Sequence, residues 1–185
     1  MQPSRRGRRF AARIGTMKRS LLLAALLVAS PALGAEAAAV SVEGLARASD
    51  TVVRGQVRKI TPTLSADGRR VFTLVDVEVA ATWRGGSLVT VRVIVPGGEA
   101  GGIGQRVEGA PSFGEGEDVV VFLHRAEAGG FRVAGLAQGK FSVAGMNAAP
   151  DLSHTRFVAS LVQPGERRVE GMSVGELERR VRSVP

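Results

Sequence analysis

Val71 to Arg84 reads VFTLVDVEVAATWR, and its period of two decides the fold class. Val71, Thr73, Val75, Val77, Val79, Ala81 and Trp83 fall on one face, while Asp76, Glu78, Thr82 and Arg84 fall on the other. Such alternation is the signature of a strand buried on one side. A strand of this length in a small domain coils around a barrel or bends between two sheets. The alternation phase puts Trp83 inside, as a core or barrel-rim aromatic rather than a ligand-stacking one.

Working outward, Ser65-Ala66-Asp67-Gly68 supplies a turn, Asp-Gly being a strong hairpin signal. Before it, Thr51 to Ile60 alternates as well, with Val53, Gly55 and Val57 on one face and Val52, Arg54, Gln56 and Arg58 on the other. Gly55 marks a bend or bulge. Ser41 to Ser49 predicts a short helix with Ser41 as N-cap. After the Gly85-Gly86 turn, Leu88 to Val95 predicts a third strand with Val89, Val91, Val93 and Val95 inward. Val119 to Leu123 is a continuous apolar run, as in a strand buried on both faces. Phe131 to Gly135 and Lys140 to Val143 are shorter strands, and Arg156 to Val162 reads as an edge strand. At the end, Ser173 with Glu176 forms a capping box ahead of the stripe Val174, Leu177 and Val181, and Glu178 can pair with Arg182.

These elements predict a mainly β chain: a small five- to six-stranded barrel with a short N-terminal helix and a C-terminal helix, which the resemblance to a known module described below makes OB-like. Residues 36–185 suffice for one domain.

Pro96 to Gly116 breaks every periodicity and contains eight glycines. A connection this long is functional or mobile. Its Glu99, Gly101, Gly102, Ile103, Gln105 and Arg106 are the candidate partner contacts. Phosphate cradles are excluded by spacing, because Val107 stands where the dinucleotide fingerprint needs its third glycine. Glu99 and Glu108 flank glycines and read as solvated acids, and Ser112 lacks the flanks of a nucleophile elbow. Arg54, Arg58, Arg69 and Arg70 line the first hairpin as solubilising, edge-protecting charges.

The chain has no cysteine and two histidines, His124 and His154, thirty residues apart and without a second ligand at metal spacing. Thiol catalysis, haem attachment and cysteine-ligated zinc are thereby excluded. No catalytic, cofactor-binding or metal-binding residue is expected, and no cofactor.

Met17 to Gly34 reads MKRSLLLAALLVASPALG, a cationic start, an apolar run and small residues suited to a signal peptidase. Residues 1–35 are therefore expected to be a leader, with 17–35 the signal peptide and 1–16 an over-extended start. The expected location is periplasmic or extracellular. The apolar run falls short of the roughly 20 residues a spanning helix needs, so no permanent membrane anchor is expected. Of the 25 basic side chains, seven lie in residues 1–35, leaving 18 against 17 acidic ones. The +8 of the whole chain is thus no nucleic-acid footprint, and nucleic acid is excluded as a partner.

Ser49-Asp50-Thr51-Val52-Val53-Arg54-Gly55-Gln56-Val57, Trp83-Arg84-Gly85 and the run Phe113 to Leu123 resemble the netrin-like module, the OB-type barrel of the tissue inhibitors of metalloproteinases. The resemblance covers residues 41–143 and implies a five-stranded barrel in a secreted protein. The inhibitors chelate protease zinc through an N-terminal cysteine and staple the barrel with disulfides; neither is possible here. No inhibitory residue carries over. The leading expectation is an exported, non-enzymatic domain binding a protein or glycan, with the 96–116 loop as its mobile contact. Two alternatives stay open: a secreted protease inhibitor, and a hydrolase assembled in space around His124 or His154. The sequence leaves the oligomeric state undetermined.

Overall fold

Among the described residues, two short helices accompany a series of strands that range from two to fourteen residues. The computed structural model describes residues 36–127, 129–157 and 167–185. The expected leader and the far part of the expected 156–162 edge strand lie outside the described residues. In chain order the elements are β1 (Glu36–Ala37), α1 (Val42–Arg47), β2 (Thr51–Leu64), β3 (Val71–Arg84), β4 (Thr90–Pro96), β5 (Gly98–Ala100) and β6 (Ile103–Gln105). There follow β7 (Asp118–Arg125), β8 (Phe131–Val133), a 3-10 turn (Leu136–Gly139), β9 (Lys140–Ala144), β10 (Asn147–Pro150), β11 (Arg156–Phe157), β12 (Met172–Ser173) and α2 (Val174–Arg182).

β2, β3 and β4 form an antiparallel meander, and β7 returns to pair with β2. β8 runs antiparallel to β7 and meets β4 in parallel through Val93 and Phe131, closing a five-stranded barrel. That order, with one parallel seam, is an OB-type arrangement. The first half of β7 also carries β9, and β10 and β12 extend the sheet beyond it.

Two apolar clusters result. Inside the barrel lie Val53, Val57, Val75, Val77, Val91, Val93, Val119, Val121, Leu123 and Phe131. Outside it, α1 and α2 cover Val52, Trp83, Val120, Phe122 and Phe141 with Val42, Leu45, Leu177 and Val181. β7 is therefore buried on both faces, which is why its sequence is an unbroken apolar run. Capping fixes both helices: Ser41 Oγ accepts from the Gly44 N–H at 3.0 Å and Ser173 Oγ from the Glu176 N–H at 3.1 Å. Arg180 joins them, its guanidinium bonding both oxygens of Glu43 at 2.7 and 2.6 Å.

Three expectations need correction. The strand face from Val71 to Trp83 is not continuous: Arg54 faces Ala81 and Gly55 faces Val79, leaving Ala80 as an extra residue. One extra residue flips the side-chain phase, so Ala81 and Trp83 leave the barrel interior for the helix-side cluster. A Cβ on Gly55 would lie 2.1 Å from the Glu78 carbonyl oxygen, so the strands approach here only because position 55 is glycine. Val89 is 80% exposed rather than inward, because it precedes the first β4 residue paired with β3, Thr90 opposite Glu78. The 96–116 segment is not without regular structure, since it contains the β5–β6 hairpin. β10 is a further strand, in a stretch for which the sequence carries no alternation.

Arg54 pairs with Asp118 at 2.7 Å and Arg58 with Glu78 at 2.5 Å, while the Arg70 guanidinium lies 5.9 Å from the centroid of the Phe72 ring. Among the described residues no helix is long and apolar enough to cross a membrane.

Candidate functional site at the barrel end

The site is built where β4 runs out. Pro96 ends the strand, and Gly97 and Gly98, at φ +96° and +125°, turn the chain back in conformations that L side chains rarely adopt. A Cβ on Gly98 would lie 2.4 Å from Thr73 Oγ1. Gly101 and Gly102, both left-handed at φ +58° and +76°, form the two-residue loop between Ala100 and Ile103. That is the type I′ geometry glycine pairs favour in hairpins.

The hairpin is tied down from its base. The Gly97 N–H donates to Val71 O at 2.9 Å, Thr73 Oγ1 donates to Gly97 O at 2.7 Å, and the Val71 N–H donates to Gln105 Oε1 at 2.8 Å. Beyond it the chain folds under the barrel end, where the Ala137 N–H donates to Gly109 O and Phe113 packs against the barrel cluster.

Two hollows flank the segment 105–107. The first, about 350 Å³, is walled by Ile60 and Pro62 of β2, Thr73 and Val75 of β3, Val95 and Pro96 of β4, and Phe113. The second, about 510 Å³, is bordered by Glu99, Gly104, Ser112 and His154. Gln105, Arg106 and Ser112 border both. Of the residues singled out in the sequence, Gln105 and Arg106 therefore meet at both hollows and Glu99 at one. Gly101, Gly102 and Ile103 form the hairpin tip and border neither, Ile103 being 40% exposed. Ile60, Pro62, Thr73 and Phe113 were missed because they belong to three distant segments, β2, β3 and the loop before β7, that only barrel closure brings together. The hairpin was missed as well, although Gly-Gly between short runs is a signal that could have found it.

A buried polar cluster holds the loop's far end. Lys140 Nζ donates to Glu117 Oε1 at 2.5 Å and to Ser142 Oγ at 2.8 Å. Ser142 Oγ donates to the same carboxylate oxygen at 2.6 Å, and the Gly114 N–H reaches Glu117 Oε2 at 2.9 Å. Burial pushes the Glu117 carboxyl up, but the bonds from Lys140, Ser142 and Gly114 outweigh it and hold the group below the ordinary glutamate value. Lys140 also lies 5.3 Å from the centroid of the Phe113 ring, so the cluster fixes one wall of the first hollow. The contact between Lys140 and Glu117 latches the end of the loop to β9. Ser142 borders neither hollow.

His154 borders the second hollow with Ser112 and Glu99, whereas His124 borders a separate hollow of about 180 Å³ beside Ile94 and Leu136. Among the described residues no hydrogen bond links Ser112 to His154, and no group of three or more His, Asp or Glu side chains is placed to hold a metal ion. No family model, curated protein or solved structure matches the chain.

Proposed function

We propose that this chain is an exported, non-enzymatic binding domain whose contact surface is the barrel end formed by the β5–β6 hairpin and the first hollow. The observation that carries this reading is the hollow itself: a concave apolar surface with a few polar groups at its rim is the usual form of a binding site. Its walls belong to the barrel and to a hairpin tied to it, so little order has to be gained on binding. A protein partner is favoured over a glycan because Trp83, the only tryptophan, is 5% exposed and buried under the helices, leaving Phe113 as the one aromatic ring lining the first hollow among the described residues. Export rests on the leader pattern from Met17 to Gly34.

The test compares wild type with Ser112→Trp, which fills the mouth of the hollow from an exposed position, and Ile103→Asp at the hairpin tip. Cross-linked partners are captured from the exported fraction. Both variants are expected to keep the wild-type melting temperature and to lose the captured partner. Equal capture by all three proteins contradicts the reading. The mass of the exported chain tests export, and an uncleaved residue 1 argues against it.

A second reading, a hydrolase, draws support from one observation: Ser112, His154 and Glu99 border the same hollow. Hydrolysis of an ester panel that His154→Ala abolishes would favour it over the binding domain.

A further inference from the structure

We propose that the first hollow takes an apolar side chain of a protein partner and that Arg106 reads a carboxylate standing next to that side chain. This rests on the binding reading above and names the chemistry recognised at the same site.

Size limits the occupant first. At about 350 Å³ the hollow is near the lower end of the roughly 300–1,000 Å³ usual for ligand sites, which suits one or two side chains. The walls select apolar contact, being made by Ile60, Pro62, Val75, Val95 and Phe113. Two of its polar atoms are already engaged, Thr73 Oγ1 donating to Gly97 O and Gln105 Oε1 accepting from the Val71 N–H.

Charge selects the rest. Among the described residues lining this hollow, Arg106 is the one ionisable group. Its nearest acid, Glu108, stands 3.5 Å away, with the two side chains 66% and 39% exposed. Arg54, Arg92 and Arg180 hold their carboxylates at 2.7, 2.7 and 2.6 Å. Charge-assisted bonds cluster near 2.7–2.9 Å, so the Arg106–Glu108 contact is loose and the guanidinium fork retains capacity for a second carboxylate. Glu108 then acts as a built-in competitor.

Three fluorescein-labelled pentapeptides are titrated into the protein by fluorescence anisotropy. One ends in leucine with a free carboxylate, one is its amide, and one is an amide with glutamate following the leucine. The wild type is expected to bind the free acid or the leucine–glutamate peptide about fivefold or more tighter than the plain amide. Which of the two wins decides whether the carboxylate is terminal or on a side chain. Arg106→Ala should remove the discrimination, Glu108→Gln should strengthen acid binding, and Ser112→Trp should abolish binding of all three.

Equal binding of acid and amide, with Ser112→Trp still abolishing both, overturns the carboxylate reading and leaves the binding domain standing. Binding that survives Ser112→Trp overturns the placement in this hollow. Full displacement of the peptides by millimolar hexanoate overturns the protein occupant in favour of a free apolar acid. If no peptide binds the wild type, the proposal falls, and partner capture decides the binding reading separately.

Discussion

Lys140 holds its ammonium 2.5 Å from Glu117 Oε1, and this contact fastens the end of the 96–117 segment to β9. The lysine is 5% exposed and the glutamate 23%, so the pair is largely withdrawn from water. Removing one partner of a buried pair leaves the other charge uncompensated. Glu117→Gln is therefore expected to cost about 3 kcal/mol in urea unfolding. It should also weaken peptide binding, because Phe113 lies beneath the same ammonium. A loss under about 1 kcal/mol would mean the pair behaves as a surface one.

Acid should expose the same latch. The Glu117 carboxyl titrates below its ordinary 4.5 in the folded state, so its stabilisation is complete above that value and is lost as pH falls through the depressed one. Wild-type stability is expected to fall more steeply than that of Glu117→Gln below pH 4.5. Parallel curves for the two proteins would remove Glu117 from the acid response.

Glycine at 98 and glycine at 102 differ in what a methyl group would meet. Both have positive φ, but a Cβ at 98 runs into Thr73 Oγ1 whereas a Cβ at 102 meets nothing within 4 Å. Gly102→Ala should cost about 1 kcal/mol from backbone strain alone. Gly98→Ala should cost more and also break the Thr73 hydroxyl bond to Gly97 O. Differential scanning calorimetry decides, and equal melting temperatures would contradict the docked hairpin.

Trp83 reports on the helix-side cluster because it is the only tryptophan. Its emission should be blue-shifted in the folded protein. Leu177→Ala, at a fully buried position of α2 in that cluster, should cost about 2–5 kcal/mol and move the emission to the red. A barrel-interior tryptophan would be indifferent to Leu177.

Barrel class was legible because Val75 to Val79 and Val91 to Val95 alternate without interruption, and the two-sided burial of β7 because Val119 to Leu123 does not alternate at all. The displacement of Trp83 was not legible. An extra residue at Ala80 leaves the local pattern intact and changes only which face the next residues occupy. At the barrel end, loop composition singled out Gln105 and Arg106, which border both hollows. Their partners Ile60 and Phe113 sit in separate segments and share no local pattern, since a hollow between strand ends is a product of closure. Lys140 and Glu117 escaped for the same reason, as neither residue is unusual until β9 lies against β7.

Placement of the binding surface is tested most directly by photo-cross-linking in the exporting cell. A benzophenone amino acid is placed at position 112, beside the hollow, or at position 89, before β4 at the barrel's other end. The binding-domain account predicts a discrete cross-linked species from position 112 and none from position 89. A species from 89 with none from 112 would contradict it.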